Sequence, residues 1–246
     1  MNFPLQSSSK VPATVTQVIA QNLFLPLGAL FFFSALALDA TSSFASSFDS
    51  LDPPLQEQIK NGAQVPIFTD RAGSPWPEAT IYQRVDSNPD EAAAVFYDFE
   101  RHTKFIPGVV EAKIQAGGNG KDLVEVAYAL SVPMYGKQHY TVMNKLSTED
   151  AGKSYRIEWT FIKADSSIQN IQGNVKFEPF GTGTLMIYTN TITPSSSVPT
   201  WKFIIDRAKE NIKGAAKSIV EQTNKEKIYQ NDFLQQQVEK LREALK

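Results

Sequence analysis

The chain contains no cysteine and only two histidines, His102 and His139, in 246 residues. The first absence excludes a disulfide framework, a thiolate metal site, an iron–sulfur cluster and a cysteine nucleophile. The second leaves too few imidazoles for a histidine-rich metal site or a histidine-pair relay. A surplus of one charge is missing too: Lys and Arg number 24, Asp and Glu 26, for a net charge of -2. Nucleic-acid binders usually carry a basic excess, so no nucleic-acid partner is expected. Enzymatic signatures are equally sparse. There is no G-x-S-x-G and no H-E-x-x-H, and Gly120-Lys121 lacks the upstream glycine of a phosphate-binding loop. Gly181-Thr182-Gly183 has no third glycine and runs into a strand, not a helix. No catalytic residue, metal site or cofactor is assigned.

What remains is globular material. A hydrophobic fraction of 42% with 20% charged residues excludes wholesale disorder. Residues 23–38 form an uncharged apolar run, shorter than the ~20 residues a spanning helix needs and weakened by Pro26 and Gly28. Small polar residues follow, and Ser43-Phe44-Ala45 fits a small-x-small cleavage site. Residues 1–45 therefore read as a secretory signal cleaved after Ala45, which places the mature protein in an exported compartment, periplasmic or secreted. The alternative is an uncleaved anchor over residues 23–38. Residues 46–78, rich in Ser, Pro, Asp and Gly, read as an extended lead-in with one helical turn at Leu55–Lys60.

From Ala79 the pattern becomes regular. Ile81–Val85 reads as a strand, and Ser87-Asn88-Pro89-Asp90 caps a helix over Glu91–Phe99. The period then drops to two. Val109–Ile114, Asp122–Pro133, Gly136–Leu146, Ser154–Ile162, Ile168–Phe180 and Thr184–Thr193 read as strands joined by short turns. Ser154–Ile162 is the clearest, with Tyr155, Ile157, Trp159 and Phe161 on one face and Arg156, Glu158 and Thr160 on the other. From Thr200 a helix carries a broad apolar stripe through Trp201, Ile204, Ile205, Ala208, Ile212, Ala215, Ala216 and Ile219. Beyond Val220 the stripe fades at Thr223, Asn224 and Lys227, so residues 223–246 read as a separate helical tail with a short seam of Leu234, Val238, Leu241 and Leu245.

This order predicts an α+β fold. A curved antiparallel sheet of about seven strands wraps on one long C-terminal helix, with a cavity left between them.

Two stretches carry a family resemblance. Asn88 to Ala112, with Pro89, Val95-Phe96, Asp98-Phe99, Phe105 and Pro107, resembles the strand-entering helix segment of the START-like (SRPBCC) superfamily. Gly173-Asn174-Val175-Lys176-Phe177-Glu178-Pro179, then Gly183 to Tyr188 and a Pro-containing loop into the last helix, resembles its late strands. The closest likeness is to the polyketide cyclase/dehydrase and coenzyme-Q-binding branch. It covers residues 79–222 and implies a helix-grip fold that takes a hydrophobic ligand. Family members range from lipid and quinone carriers to aromatase/cyclases, and fold does not choose among them.

The residues expected to face the cavity are Tyr128, Leu130, Tyr140, Trp159, Phe161, Tyr188, Trp201, Ile205 and Ala208. The same side chains would also serve as plain core filling. Several buried phenol and indole groups on one dry face need polar partners, however, which suits an amphipathic ligand. His139 falls on the opposite strand face and His102 reads as a surface or turn residue, so neither is placed in the cavity. Glu125, Glu158 and Glu178 alternate with the apolar residues and point outward, which disfavours a carboxylate mechanism. The expected function is non-enzymatic binding or transport of a lipid, quinone or polyketide-like molecule, with peripheral membrane contact left open. The alternatives are a cyclase/dehydratase-type enzyme using cavity tyrosines and an interaction module acting through the tail.

Export is directly testable. N-terminal sequencing of protein isolated from the cell envelope is expected to start at or near Ser46. A start at Met1 would make residues 23–38 an anchor.

Overall fold

The computed structural model describes residues 48–115, 120–132, 136–165, 167–229 and 232–246. The signal segment read over residues 1–45 lies outside them. Eight strands form one antiparallel sheet: β1 (Val65–Arg71), β2 (Ser74–Val85), β3 (Val109–Ile114), β4 (Leu123–Val132), β5 (Gly136–Glu149), β6 (Ser154–Ala164), β7 (Ile168–Phe180) and β8 (Gly183–Pro194). Their spatial order is β1-β2-β8-β7-β6-β5-β4-β3. Among the described residues five α-helices accompany them: α1 (Pro53–Lys60), α2 (Pro89–Tyr97), α3 (His102–Phe105), α4 (Lys202–Tyr229) and α5 (Asp232–Ala244).

The sheet has one strand more than the sequence reading gave it, because the lead-in is not a lead-in. Residues 53–60 form α1, and Val65–Arg71 pairs with Ser74–Tyr82 to make the β1–β2 hairpin. Proline hid this hairpin. Pro66 sits on β1, which is an edge strand among the described residues. Pro75 and Pro77 precede Ala79, where pairing of β2 with β8 begins, so neither removes a ladder bond there.

Strand alternation sorts the two faces of the sheet. Ile81, Val126, Val142, Ile157, Val175 and Met186 belong to the main core, into which α2 and the second half of α4 also pack. On the opposite face α1 places Ile59 against Tyr82, Leu185 and Ile187 in a second, smaller cluster. β8 is thus covered on both sides, which is why Gly183–Ile187 is an unbroken buried run.

α2 owes its start to a cap. Pro89 fills the first turn, where no backbone donor is needed, and Asn88 N–H donates to Glu91 Oε2 at 2.9 Å. Its residues Ala92 to Phe96 are all buried.

The tail behaves differently from its sequence reading. Two helices cover the described residues of the C-terminal stretch, α4 up to Tyr229 and α5 from Asp232. α5 packs against α2, and Leu234, Val238, Leu241 and Ala244 are buried. Thr223, Asn224 and Lys227, which break the apolar stripe, are packing residues with polar partners. Thr223 is buried and its hydroxyl donates to Ile219 O at 2.8 Å, while Asn224 Oδ1 accepts from Asp86 N–H at 3.1 Å. Lys227 reaches Glu91, Arg242 reaches Asp90 and Arg101 reaches Glu226, each at 2.6 Å. These pairs tie α4 and α5 to α2 and to the turn that follows it.

The folded unit therefore starts before residue 79 and continues past residue 222. Truncation near residue 224, harmless if the tail were detached, would strip the outer face of α2. Leu241→Ala, at a fully buried position, is expected to lower stability by about 2–5 kcal/mol in urea denaturation. A change within ~0.5 kcal/mol, the size typical of surface substitutions, would show that α5 does not pack on α2.

Candidate functional site

Between the sheet, α4 and α2 lies a cavity of about 660 Å³. One row across the sheet explains how its wall is shaped. Asn144, Trp159, Gly173 and Asn190 stand side by side on β5, β6, β7 and β8. A Cβ on residue 173 would sit 2.5 Å from the Trp159 ring, so glycine is what allows the indole to lie across β7. Trp159 then meets Tyr188 with ring centroids 5.3 Å apart and Phe96 of α2 at 6.1 Å.

The other wall is α4. Ile204, Ala208, Ile212 and Ala215 present a narrow strip toward the sheet. Phe96 and His102 line one end of the cavity, where α2 packs on β6, β7 and β8. The opposite end is lined by Ser131, Val132, Gln138, Ser167, Pro194 and Arg207, which lie at strand ends and on the first turns of α4.

Of the residues singled out in the sequence, Tyr128, Leu130, Tyr140, Trp159, Tyr188 and Ala208 line this cavity. Three do not. Trp201 is 62% exposed, its ring tilted against that of Phe203. It precedes the first residue of α4 and contributes its carbonyl to the helix, accepting from Ile204 N–H at 2.9 Å, so its side chain is not on the helix stripe. Ile205 lies against a small cleft with Phe68, Trp76 and Ala79, because a stripe this broad faces β1–β2 as well as the cavity. Phe161 is half-buried against the core beside an irregularity between β5 and β6, where Val142 pairs with Phe161 and Thr141 with Lys163. It is outside the cavity lining.

Two residues took the opposite course. Trp76 lines the cavity from β2, in the stretch read as a lead-in. His102, read as a surface residue, is 2% exposed and also lines the cavity. Its Nε2–H donates to Phe96 O at 2.8 Å, since a carbonyl can only accept. That assigns the tautomer: Nδ1 accepts from the Tyr128 hydroxyl at 3.0 Å. His139 is exposed as expected and contacts Asp165 at 2.8 Å.

The cavity is electrically quiet. Burial presses the His102 pKa down to about 4, with the bond to Phe96 opposing it weakly, so the ring is neutral at ordinary pH. Burial likewise holds the phenols of Tyr128, Tyr140 and Tyr188 well above their usual value, with smaller additions from their neighbours in the cases of Tyr128 and Tyr140. Among the described residues no Asp or Glu belongs to the lining, and Arg207 alone carries a formal charge there. Glu125, Glu158 and Glu178 lie elsewhere. Among the described residues no group of His, Cys, Asp and Glu could hold a metal ion.

No protein-family model matches the sequence, and no curated protein sequence matches it. Solved structures match in fold. A STAR-related lipid transfer protein from Xanthomonas axonopodis aligns with a TM-score of 0.57 at 15% identity, covering 65% of this chain and 93% of its own. Human StAR-related lipid transfer protein 5 aligns with a TM-score of 0.52 at 13% identity, covering 66% of this chain and 83% of its own. The chain has the START-like helix-grip fold.

The buried imidazole gives a pH dependence with a definite sign. An unfolded histidine titrates near 6.5 and His102 in the folded protein near 4. Between those values the unfolded chain binds a proton that the folded chain does not, so stability falls as pH drops from 6.5 to 4. The total is about 3 kcal/mol. The His102 ring resonances in NMR are expected to stay those of neutral imidazole down to pH 5. A titration midpoint at 6 or above would show that the ring is open to water.

Proposed function

We propose that the protein binds and carries a hydrophobic small molecule, of lipid, quinone or polyketide-like character, in the cavity between sheet and α4. The observation that supports this most is the cavity itself. Its volume of about 660 Å³ falls in the range of small-molecule sites, and its lining is mostly aliphatic and aromatic with a few polar groups. A domain that needed only a core would close this space, because empty apolar volume costs stability.

A carrier is favoured over a cyclase/dehydratase by the same lining. The one histidine is neutral and held by two hydrogen bonds, and the phenols are poorer acids than free tyrosine. General acid–base catalysis works best with groups that titrate near the working pH. In this reading the protein acts in an exported compartment, directed there by residues 1–45.

Native mass spectrometry of protein purified from its own source is expected to show a co-purified apolar ligand. Ala208→Trp, which points a large side chain into the cavity, should lower uptake of N-phenyl-1-naphthylamine at least tenfold. Its stability cost should stay below the ~1–3 kcal/mol of an overpacked core. A strongly destabilised variant, together with a parent that takes up no probe, would mean a solid interior and end the carrier reading.

A further inference from the structure

The deep part of the cavity carries polar atoms that the protein itself leaves unused. Tyr188 and Asn190 are two residues apart on β8 and so face the same side, and both line the cavity. Asn190 is 94% buried, and its Oδ1 has no hydrogen-bond partner among the described residues. The hydroxyls of Tyr140 and Tyr188 are also without one, whereas that of Tyr128 is committed to His102. Trp76, at the β1–β2 side of the same cavity, holds a further unpartnered donor in Nε1. Buried polar groups in native proteins are nearly always paired, so a cluster of unpaired ones facing empty space marks where a partner belongs.

What that partner is follows from charge. On the sheet wall that carries Tyr140, Tyr188 and Asn190, the described lining offers phenol O–H donors and an amide oxygen, and no cation. The phenols keep their protons because burial opposes their ionisation. Arg207, the one charged lining residue among those described, belongs to α4 and not to the strands that carry Tyr140, Tyr188 and Asn190. A carboxylate or phosphate driven deep would lose its hydration with no opposite charge to replace it. A ketone or hydroxyl would lose little, because each can take the hydrogen bonds on offer.

We propose that Tyr140, Tyr188 and Asn190 form a recognition subsite for the neutral carbonyl or hydroxyl end of an otherwise apolar ligand, which enters that end first. This rests on the cavity-binding reading and adds to it both an orientation and a chemical class. Ligands whose only polar group is ionised are excluded from the deep site.

A series on one ring skeleton tests it: pyrene, 1-acetylpyrene and pyrene-1-carboxylate, titrated against tryptophan emission in the full-length protein. 1-Acetylpyrene is expected to bind at least fivefold more tightly than pyrene and at least tenfold more tightly than the carboxylate. In the double variant Tyr140→Phe/Tyr188→Phe, which keeps both rings and removes both hydroxyls, the ketone-to-hydrocarbon ratio should fall to within twofold of one. A carboxylate that binds as well as the ketone, or a ketone advantage that survives in the double variant, overturns the subsite while leaving the cavity reading intact. Failure of all three probes to bind overturns both.

Discussion

The cavity depends on α2 being slim. Three alanines, Ala92, Ala93 and Ala94, let this helix lie close to the sheet, to α4 and to α5 at once, and all three are buried. Larger residues there would hold the helices apart and open the end of the cavity to water. Phe96 then supplies what the alanines lack. Its ring reaches Trp159, Phe99, Phe177 and His102, and its carbonyl accepts the His102 proton. One short helix therefore both closes the space and fixes the only imidazole in it.

α2 is in turn held by charge at its capped end. Glu91 uses one carboxylate oxygen to cap α2 and the other to bind Lys227 of α4, while the neighbouring Asp90 binds Arg242 of α5. An acidic first turn also suits the positive end of a helix. Exposed pairs of this kind contribute little singly, but Glu91 is buried and its pair joins two helices. Closure of the cavity and docking of the C-terminal helix are thus one structural event. α5 matters to the cavity although none of its residues touches it.

Much of this was legible in the sequence, and the exceptions share a cause. Tyr128, Tyr140, Trp159 and Tyr188 were found because strict alternation reports which face of a strand is dry. Phe161 obeyed the same rule and failed it at an irregularity, which leaves no mark in the periodicity. Trp76 was missed because its flanking prolines argue against a strand, and only the topology shows that this part of β2 has no ladder with β8 to break. His102 was missed because it lies in one turn of helix, too short to show a face. Its burial is set by Phe96 and Tyr128, six residues before it and twenty-six after. The tail was misread for a related reason: Thr223 and Asn224 looked like the end of a packing face, and hydrogen bonds make them part of one.

The polar atoms in the cavity divide by whether the fold has already used them. His102 and Tyr128 form a closed pair, with Phe96 O at one end, so every proton in that chain has a home. Such a pair stiffens the wall and offers a ligand little. Tyr140 stacks on Tyr128 with ring centroids 5.2 Å apart, which fixes its ring without engaging its hydroxyl. Tyr188 is placed by the tilted ring of Trp159, and Trp159 by the glycine it crosses. Ring contacts thus position these donors while leaving their hydrogen bonds unmade. A wall built only for stability would have paired them or replaced them with phenylalanine. Placed rings with unengaged hydroxyls, in a wall of otherwise apolar side chains, are what the proposed recognition of one uncharged polar group requires.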